Sequence, residues 1–174
     1  MRKRIKGPMP TQEELHRIFE YRDGHLYRRV RAANKMPGER VGALAHGYYL
    51  TMLRNRYCYV HRLIWMMFYG DIPVHIDHIN RCGTDNRIEN LRLATPAENS
   101  HNIEGHAGSK TGVKGVTWCN ITRKWKVQLR VAGKNTYLGV YPLLADAAAA
   151  ARAAREKYHG EFANHRGANE LYNY

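Results

Sequence analysis

The segment spanning residues 75–103 constrains the fold most, because short apolar runs alternate there with turn-forming and helix-capping residues. An apolar approach leads to an Asp-His pair at 77–78, and a loop rich in Asn, Asp and Gly follows it. Asn-Leu-Arg-Leu at 90–93 is typical of a second short strand. Thr-Pro-Ala-Glu at 95–98 combines a capping box with proline at the first helical position. The pattern predicts strand, loop, strand and helix, a ββα unit.

The residues before this unit predict a small region of mixed helix and strand. Residues 11–14 (TQEE) form a capping-box pattern, which favours a short helix. Asp-Gly at 23–24 favours a tight turn between two short strands. The alternating residues 47–60 predict a hairpin that turns at 54–55, and the apolar run 61–69 predicts a buried helix.

The last third of the chain predicts a second sheet. Residues 104–112 contain three glycines and no large apolar side chain, so we expect a linker. Strands at 113–118, 125–131 and 136–141 form an antiparallel sheet, and an alanine-rich helix at 142–158 packs on it. The predicted class is α+β, organised as a basic tail at 1–10, an α+β region at 11–103, the linker, a domain at 113–165 and a tail at 166–174.

The charge balance predicts a polyanionic partner. Lys and Arg number 28 against 15 Asp and Glu, so the net charge is 28 − 15 = +13. Nucleic acid is the leading candidate, and an anionic membrane is the alternative. The longest apolar run, residues 63–69, is far shorter than the roughly 20 residues that span a bilayer. The three cysteines form no Cys-x-x-Cys pair, as in proteins of a reducing cytoplasm. We therefore expect a cytoplasmic protein with no membrane partner.

Four polar side chains of the central segment could perform hydrolysis together. Asp77 and Asn99 offer oxygen ligands, which suit a hard cation such as Mg²⁺. His78 can accept a proton near neutral pH. On a regular strand Asp77 and His78 point to opposite faces, so one can serve a metal and the other a water. With Asn90 in the following strand, this set predicts phosphodiester hydrolysis.

Helix geometry alone does not determine which residue of the predicted helix completes the metal site. Asn99 and His101 differ by about 200° around a helix, so both cannot face one metal. Asn99 shares a face with Asn102, and Glu98 shares one with His101. Local geometry does not choose between these faces.

The run DHIN…DNRIENLRLAT…EN, within residues 57–103, resembles the HNH endonucleases, in particular their phage and intron-homing branch. The resemblance implies a ββα-metal nuclease core in which His78 is the general base. It implies that Asp77 and Asn99 hold the metal and that Asn90 ties the two strands and orients the histidine loop. The last motif position is Asn99, which makes this an H-N-N variant.

The family resemblance implies a specific reaction on double-stranded DNA. His78 activates a water, a divalent cation (Mg²⁺, with Mn²⁺ as the alternative) assists, and the ends are a 5′-phosphate and a 3′-hydroxyl. One motif per chain predicts nicking by a monomer, whereas a double-strand break needs a dimer or successive visits. His61, His75 and Arg92 are expected to support the site from outside it, with His61 either capping a helix or contacting the site residues. The expected setting is a phage protein inside a bacterium.

The C-terminal residues 111–165 resemble the plant ethylene-response-factor (APETALA-type) DNA-binding domain. The resemblance rests on Lys114-Gly115-Val116, Lys124-Trp125, Tyr137-Leu138-Gly139 and Gly160-x-x-Ala163-Asn164. Strand alternation places Lys126, Gln128 and Arg130 on one face, opposite an apolar face. The resemblance adds Lys114, Thr117, Asn135 and Tyr137 as further DNA-contacting positions. In the helix that follows, Arg152, Arg155 and Lys157 are expected to face solvent.

The sequence leaves two alternative functions open. The first is a DNA-binding regulator whose nuclease site has decayed, although the presence of all four site residues favours activity. The second is an RNA nuclease or RNA-binding protein. The sequence disfavours it, because no exposed aromatic platform of the kind used by single-strand readers is evident.

Overall fold

A computed structural model of the chain describes residues 7–102 and 111–165. The predicted α+β class is confirmed, since helices alternate with several small antiparallel sheets. The chain divides into two compact units, residues 1–94 and 95–174. Residues 1–6 of the predicted N-terminal tail, the whole predicted tail at 166–174 and residues 104–110 of the predicted linker lie outside the described residues. Within the described ranges, no helix is long and apolar enough to cross a membrane.

Over its described residues, 7–94, the first unit contains two helices, three antiparallel sheets and a short 3-10 helix. The sheets are the pair β1–β2, the three-stranded sheet β3–β4–β5 and the pair β6–β7. The elements are α1 (Gln12–Ile18), β1 (Phe19–Arg22), β2 (His25–Arg28), β3 (Ala43–Ala45), β4 (Tyr48–Leu53), β5 (Arg56–Tyr59), α2 (Val60–Tyr69), β6 (Ile76–His78), the 3-10 helix (Ile88–Asn90) and β7 (Leu91–Leu93).

Local sequence chemistry explains most of these boundaries. The capping box before α1 is formed in both directions, with Thr11 and Glu14 bonding each other's backbone N–H. The β4–β5 hairpin turns at Arg54 and Asn55, whose φ angles of 51° and 61° match a type I′ turn. The prediction missed β3, because its Ala-Leu-Ala sequence has little strand propensity and is ordered by pairing with β4.

The core of the first unit lies between the two helices and the strands. Leu15, Phe19 and Leu26 are fully buried against α2, which contributes Leu63 and Ile64. The helix α2 directly follows β5, so its first turn is held at the end of the three-stranded sheet. This placement presents His61 toward the β6–β7 pair.

The second unit is a three-stranded sheet with one long helix, as predicted. The strand order is β10–β9–β8, and Val116 and Val127 pack against Ala147 and Ala151 of the helix. The helix at Pro96–Asn102, which the prediction placed in the 11–103 region, groups with this unit, and the predicted domain bounds stay a prediction. The elements are α3 (Pro96–Asn102), β8 (Val116–Cys119), β9 (Lys124–Val131), β10 (Lys134–Tyr141), α4 (Leu144–His159) and a 3-10 helix (Gly160–Phe162).

The prediction that Arg155 faces solvent is wrong. Arg155 is only 1% exposed, and its Nη1 donates a hydrogen bond to the backbone carbonyl of Lys114. The physical reason is helical period, because Arg155 follows Ala147 and Ala151 at intervals of four along the buried face. Its methylene groups extend the apolar surface of the helix, and its guanidinium group reaches the Lys114 carbonyl. Arg152 and Lys157 are exposed, as expected.

Arg155→Ala should lower the free energy of unfolding by about 2–4 kcal/mol, because it removes buried packing and a charge-assisted hydrogen bond. Arg152→Ala is the matched control, and its exposed position should keep the change below about 0.5 kcal/mol. Urea denaturation followed through the fluorescence of Trp118 and Trp125, which lie in this unit, measures both. Equal effects of the two substitutions would contradict the buried role of Arg155.

Candidate active site

The β6–β7 pair positions the Asp-His dipeptide that the sequence singled out. Its register sets Asp77 opposite Arg92 and His78 opposite Leu91. Both Asp77 and His78 are 5% exposed, so each needs a polar partner inside the protein. Because adjacent strand residues point to opposite faces, the two side chains have different surroundings.

Asp77 forms a buried ion pair with its cross-strand neighbour. The Nη2 and Nε of Arg92 donate to Oδ2 of Asp77 at 2.8 and 3.0 Å. Both side chains are largely buried, so this charge-assisted contact anchors the pair of strands. The sequence expected Arg92 only as a supporting residue, and the structure places it in direct contact with the predicted metal ligand.

His78 is held by a residue that sequence reasoning missed. Its Nε2 lies 3.0 Å from Oδ1 of Asn86, a buried amide in the loop between β6 and β7. With that oxygen as acceptor, Nε2 carries the proton and Nδ1 keeps the lone pair of the neutral ring. Burial lowers the pKa of His78, although the bond to Asn86 and the Asp77 charge oppose the shift. His78 is therefore neutral at pH 7, and a position within the Asn-rich loop was the only sequence signal for Asn86.

Aromatic rings form the wall around His78. The ring centroids of His61 and Tyr48 lie 5.0 and 5.8 Å from that of His78, and Tyr59 stacks on His61 at 5.4 Å. Burial, followed by repulsion from His78 when that ring is protonated, lowers the pKa of His61 to about 3. His61 is thus uncharged at neutral pH. The capping alternative for His61 is wrong, because the N-cap is Tyr59 and no side chain caps the helix.

Asn90 joins the two ends of the loop that follows His78. Its Oδ1 accepts from the backbone N–H of Asn80 at 2.9 Å. Its Nδ2 donates to Oδ1 of Asn80 at 2.9 Å and to the carbonyl of Asp85 at 2.7 Å. Three hydrogen bonds from one buried amide close the loop beside His78.

The structure brings together Asp77, His78, Asn90, Arg92 and His61 in the first unit. His75 is half-buried one residue before β6.

Asn99 lies on α3 in the second unit, and its place in a metal site stays a prediction. In the part of the chain that the structure describes, no cluster of three or more His, Cys, Asp or Glu could hold a metal. Asp77 and Asn99 fit a hard cation in chemical type, with Arg92 engaging one oxygen of the carboxylate.

The predicted DNA-contacting positions of the second unit gather on one sheet face. The register sets Thr117 opposite Lys126, Tyr137 opposite Gln128, and Asn135 opposite Arg130. The alternating residues of β9, Val127 and Leu129, are buried beneath, where α4 packs. Lys114 lies in the turn before β8. Their contact with DNA stays a prediction.

Comparison with known proteins identifies the class of the site. A family model described as HNH endonuclease matches residues 58–101, which hold His61, Asp77, His78, Asn90 and Asn99, so this segment is an HNH endonuclease domain. Protein 3.8 of Escherichia phage T7 is 34% identical over 108 residues, which is 61% of this chain and 88% of that protein. The chain therefore belongs to the family of Protein 3.8. No solved structure matches it.

These matches confirm the predicted HNH resemblance and its phage context. The resemblance of residues 111–165 to the ethylene-response-factor domain stays a prediction.

Asn90→Ala should lower the free energy of unfolding by about 2–3 kcal/mol, because it leaves the Asn80 N–H and the Asp85 carbonyl without their partner. The backbone amide of Asn80 should exchange with solvent faster. Glu89→Ala, at the exposed neighbouring position, is the control and should have little effect. Urea denaturation and hydrogen exchange measure the outcome, and parental stability of Asn90→Ala would contradict the bridging role.

Proposed function

We propose that this chain is a metal-dependent HNH endonuclease that hydrolyses phosphodiester bonds of double-stranded DNA. The observation that carries the proposal is the neutral imidazole of His78, buried beside Asp77 and held through Nε2 by Asn86. A general base must be unprotonated at working pH and fixed in direction, and this ring satisfies both conditions. The HNH match at residues 58–101 supports the same reaction class.

In the proposed reaction His78 accepts a proton from water at Nδ1. The hydroxide oxygen attacks phosphorus, the bond to the 3′ oxygen breaks, and that oxygen takes up a proton from a solvent water molecule. The products carry a 5′-phosphate and a 3′-hydroxyl. Asn86 prevents rotation of the ring by accepting from Nε2, and Asn90 holds the loop that carries Asn86.

Asp77 and Asn99 are the residues that would hold the cation, with Mg²⁺ as the first candidate and Mn²⁺ as the second. When bound, such a cation neutralises phosphate charge and stabilises the leaving oxygen. Arg92 keeps the Asp77 carboxylate oriented through its two donors. In this arrangement Asp77 would bind the cation, and His78 accepts the proton from the water.

The sheet of the second unit is the proposed DNA-reading surface. A sheet face can enter the major groove, where Lys and Arg contact phosphate or guanine and Gln can pair with adenine. Lys126, Gln128 and Arg130 lie along one strand with the appropriate chemistry. The resemblance to ethylene-response-factor domains and the net charge of +13 support this role.

One HNH domain per chain supports nicking of one strand by a monomer, with a dimer or successive visits needed to cut both strands. The relationship to a phage T7 protein supports action in the cytoplasm of a bacterial host.

A second function, that of a catalytically inactive DNA-binding regulator, is favoured by one observation. The predicted metal ligand Asp77 is already engaged by Arg92 in a buried ion pair. A carboxylate neutralised in this way has less affinity for a cation than a free one. The regulator would bind DNA through the same sheet without cutting it.

His78→Ala should reduce plasmid nicking by about 10²–10⁴-fold, because it removes the positioned base. His46→Asn is the matched control, since this exposed histidine lies in the turn between β3 and β4 at a φ of 51°, which Asn tolerates, and its replacement should leave nicking near the parental rate. The measurement is the conversion of supercoiled plasmid to relaxed circles with Mg²⁺, Mn²⁺ or a chelator. Gel shifts should give equal DNA binding for all three proteins.

The outcome separates the two functions. Relaxed circles that require both the cation and His78 support the nuclease. Equal nicking by parent and His78→Ala would remove His78 from the mechanism. DNA binding without cleavage under every condition would favour the regulator.

Lys126→Ala should weaken duplex binding similarly for all sequences and reduce the slope of log affinity against log salt by about 0.9, if it contacts one phosphate. Arg152→Ala removes an equal charge from the exposed surface of α4 and should leave the slope unchanged. Fluorescence anisotropy across a salt series measures both variants. Equal slopes for the parent and Lys126→Ala would exclude this lysine from the DNA interface.

A further inference from the structure

The outer face of the β3–β4–β5 sheet carries exposed tyrosines. The register sets Leu50 opposite Tyr59 and Met52 opposite Tyr57, so these side chains share one face. Tyr57 is 72% exposed and Tyr59 is 41% exposed. The opposite face carries the buried pair of Thr51 and Cys58. The expectation that the chain lacks an exposed aromatic platform is therefore wrong, because burial of one sheet face leaves the tyrosines on the other.

This tyrosine face is continuous with the candidate active site. Tyr48 lies 5.6 Å from Tyr59 between ring centroids, and its ring also contacts His78. Tyr59 in turn stacks on His61, which contacts His78. Under the proposed function, a DNA strand with its phosphate at His78 would pass next to these rings.

A cleft lies at the edge of the same sheet, along β5. Its volume is about 380 Å³, which falls in the range of small-ligand pockets. Arg56 lines this cleft, and its buried Nε has no hydrogen-bond partner within the described ranges. Arg62 is tied to the carbonyls of Pro73 and Val74. The lining residues are Met9, Arg56, Tyr57, Cys58, Tyr59, Arg62 and Ile72.

The charge of this region matches a polyanion. Residues 41–70, which contain the whole sheet and α2, include Arg54, Arg56 and Arg62 but no Asp or Glu. Arg54 is paired with Glu14 and Arg62 with backbone carbonyls, whereas Arg56 has no carboxylate partner within the described ranges. Aromatic rings beside such an arginine are a surface that single-stranded nucleic acid prefers.

We propose that the β3–β4–β5 face binds an unstacked stretch of the DNA strand, with bases on Tyr57 and Tyr59 and a phosphate at Arg56. This inference rests on the proposed function for the identity of its ligand as DNA. In a duplex the faces of the bases are covered by their neighbours, so a tyrosine ring reaches them only where the strand is unpaired or distorted. The preferred substrate is therefore DNA with an unpaired region next to the cleavage point.

The test compares binding of a 12-nucleotide single strand and of the matching duplex to the full-length protein. A chelator prevents cleavage, and fluorescence anisotropy reports affinity. Tyr57→Leu should weaken single-strand binding by about 5- to 150-fold, since each stacked base contributes about 1–3 kcal/mol. Duplex affinity should change by less than about twofold. Tyr57→Phe should bind like the parent, because it keeps the ring.

Tyr69→Leu is the matched control, because Tyr69 is an exposed tyrosine of α2 outside the sheet. It should leave both affinities unchanged. Tyr57 is so exposed that its replacement should not threaten folding, and circular dichroism checks this. A 2-aminopurine base in the single strand should change its fluorescence on binding to the parent and not to Tyr57→Leu.

Three results would overturn the proposal. Single-strand affinity could be unchanged in Tyr57→Leu, or single-strand and duplex affinity could fall equally. Alternatively, an RNA strand of the same sequence could bind more tightly through Tyr57, which would replace DNA as the ligand. Failure of the nuclease proposal can be distinguished from failure of this one. His78→Ala should keep the tyrosine-dependent single-strand binding even if no variant cuts DNA.

Discussion

The polar contacts around β6 and β7 are the constraint on which the site depends. Two strands of three residues each carry too little apolar surface to hold their own register. The ion pair of Asp77 with Arg92 links them side by side, and the amide of Asn90 closes the loop between them. Buried groups of this kind are costly unless all are satisfied, so they define one arrangement of the segment. The position of His78 follows from that arrangement.

The ring wall beside His78 couples two properties of the first unit. Burial by His61 and Tyr48 keeps the pKa of His78 low, so the imidazole stays neutral and able to accept a proton. The same rings extend outward to Tyr59 and the exposed tyrosine face. One set of aromatic side chains thus sets the protonation state of the proposed base and borders the surface next to it. The second unit adds a charged sheet face with a different chemistry.

Much of the fold could be predicted because its signals are local. The capping boxes at Thr11 and Thr95, the turn at Arg54-Asn55 and the strands of the second sheet each depend on residues a few positions apart. The strand β3 could not be predicted, since three residues of low propensity are ordered only by β4. The prediction placed Arg155 in solvent because its side chain is charged. Its spacing along the helix places it instead on the buried face of α4.

The sequence by itself determined the class of the protein, since the pattern that predicted an HNH endonuclease is linear and lies within the residues 58–101 that the HNH model matches. It also determined the α+β order, because caps, turns and alternation act over short distances. Only the tertiary structure decided that Asn86 holds His78, that Arg92 engages Asp77, and that the tyrosines of β4 and β5 face outward. Those facts depend on which residues meet across strands and which face is covered. Such contacts join positions far apart in the chain, and no local propensity encodes them.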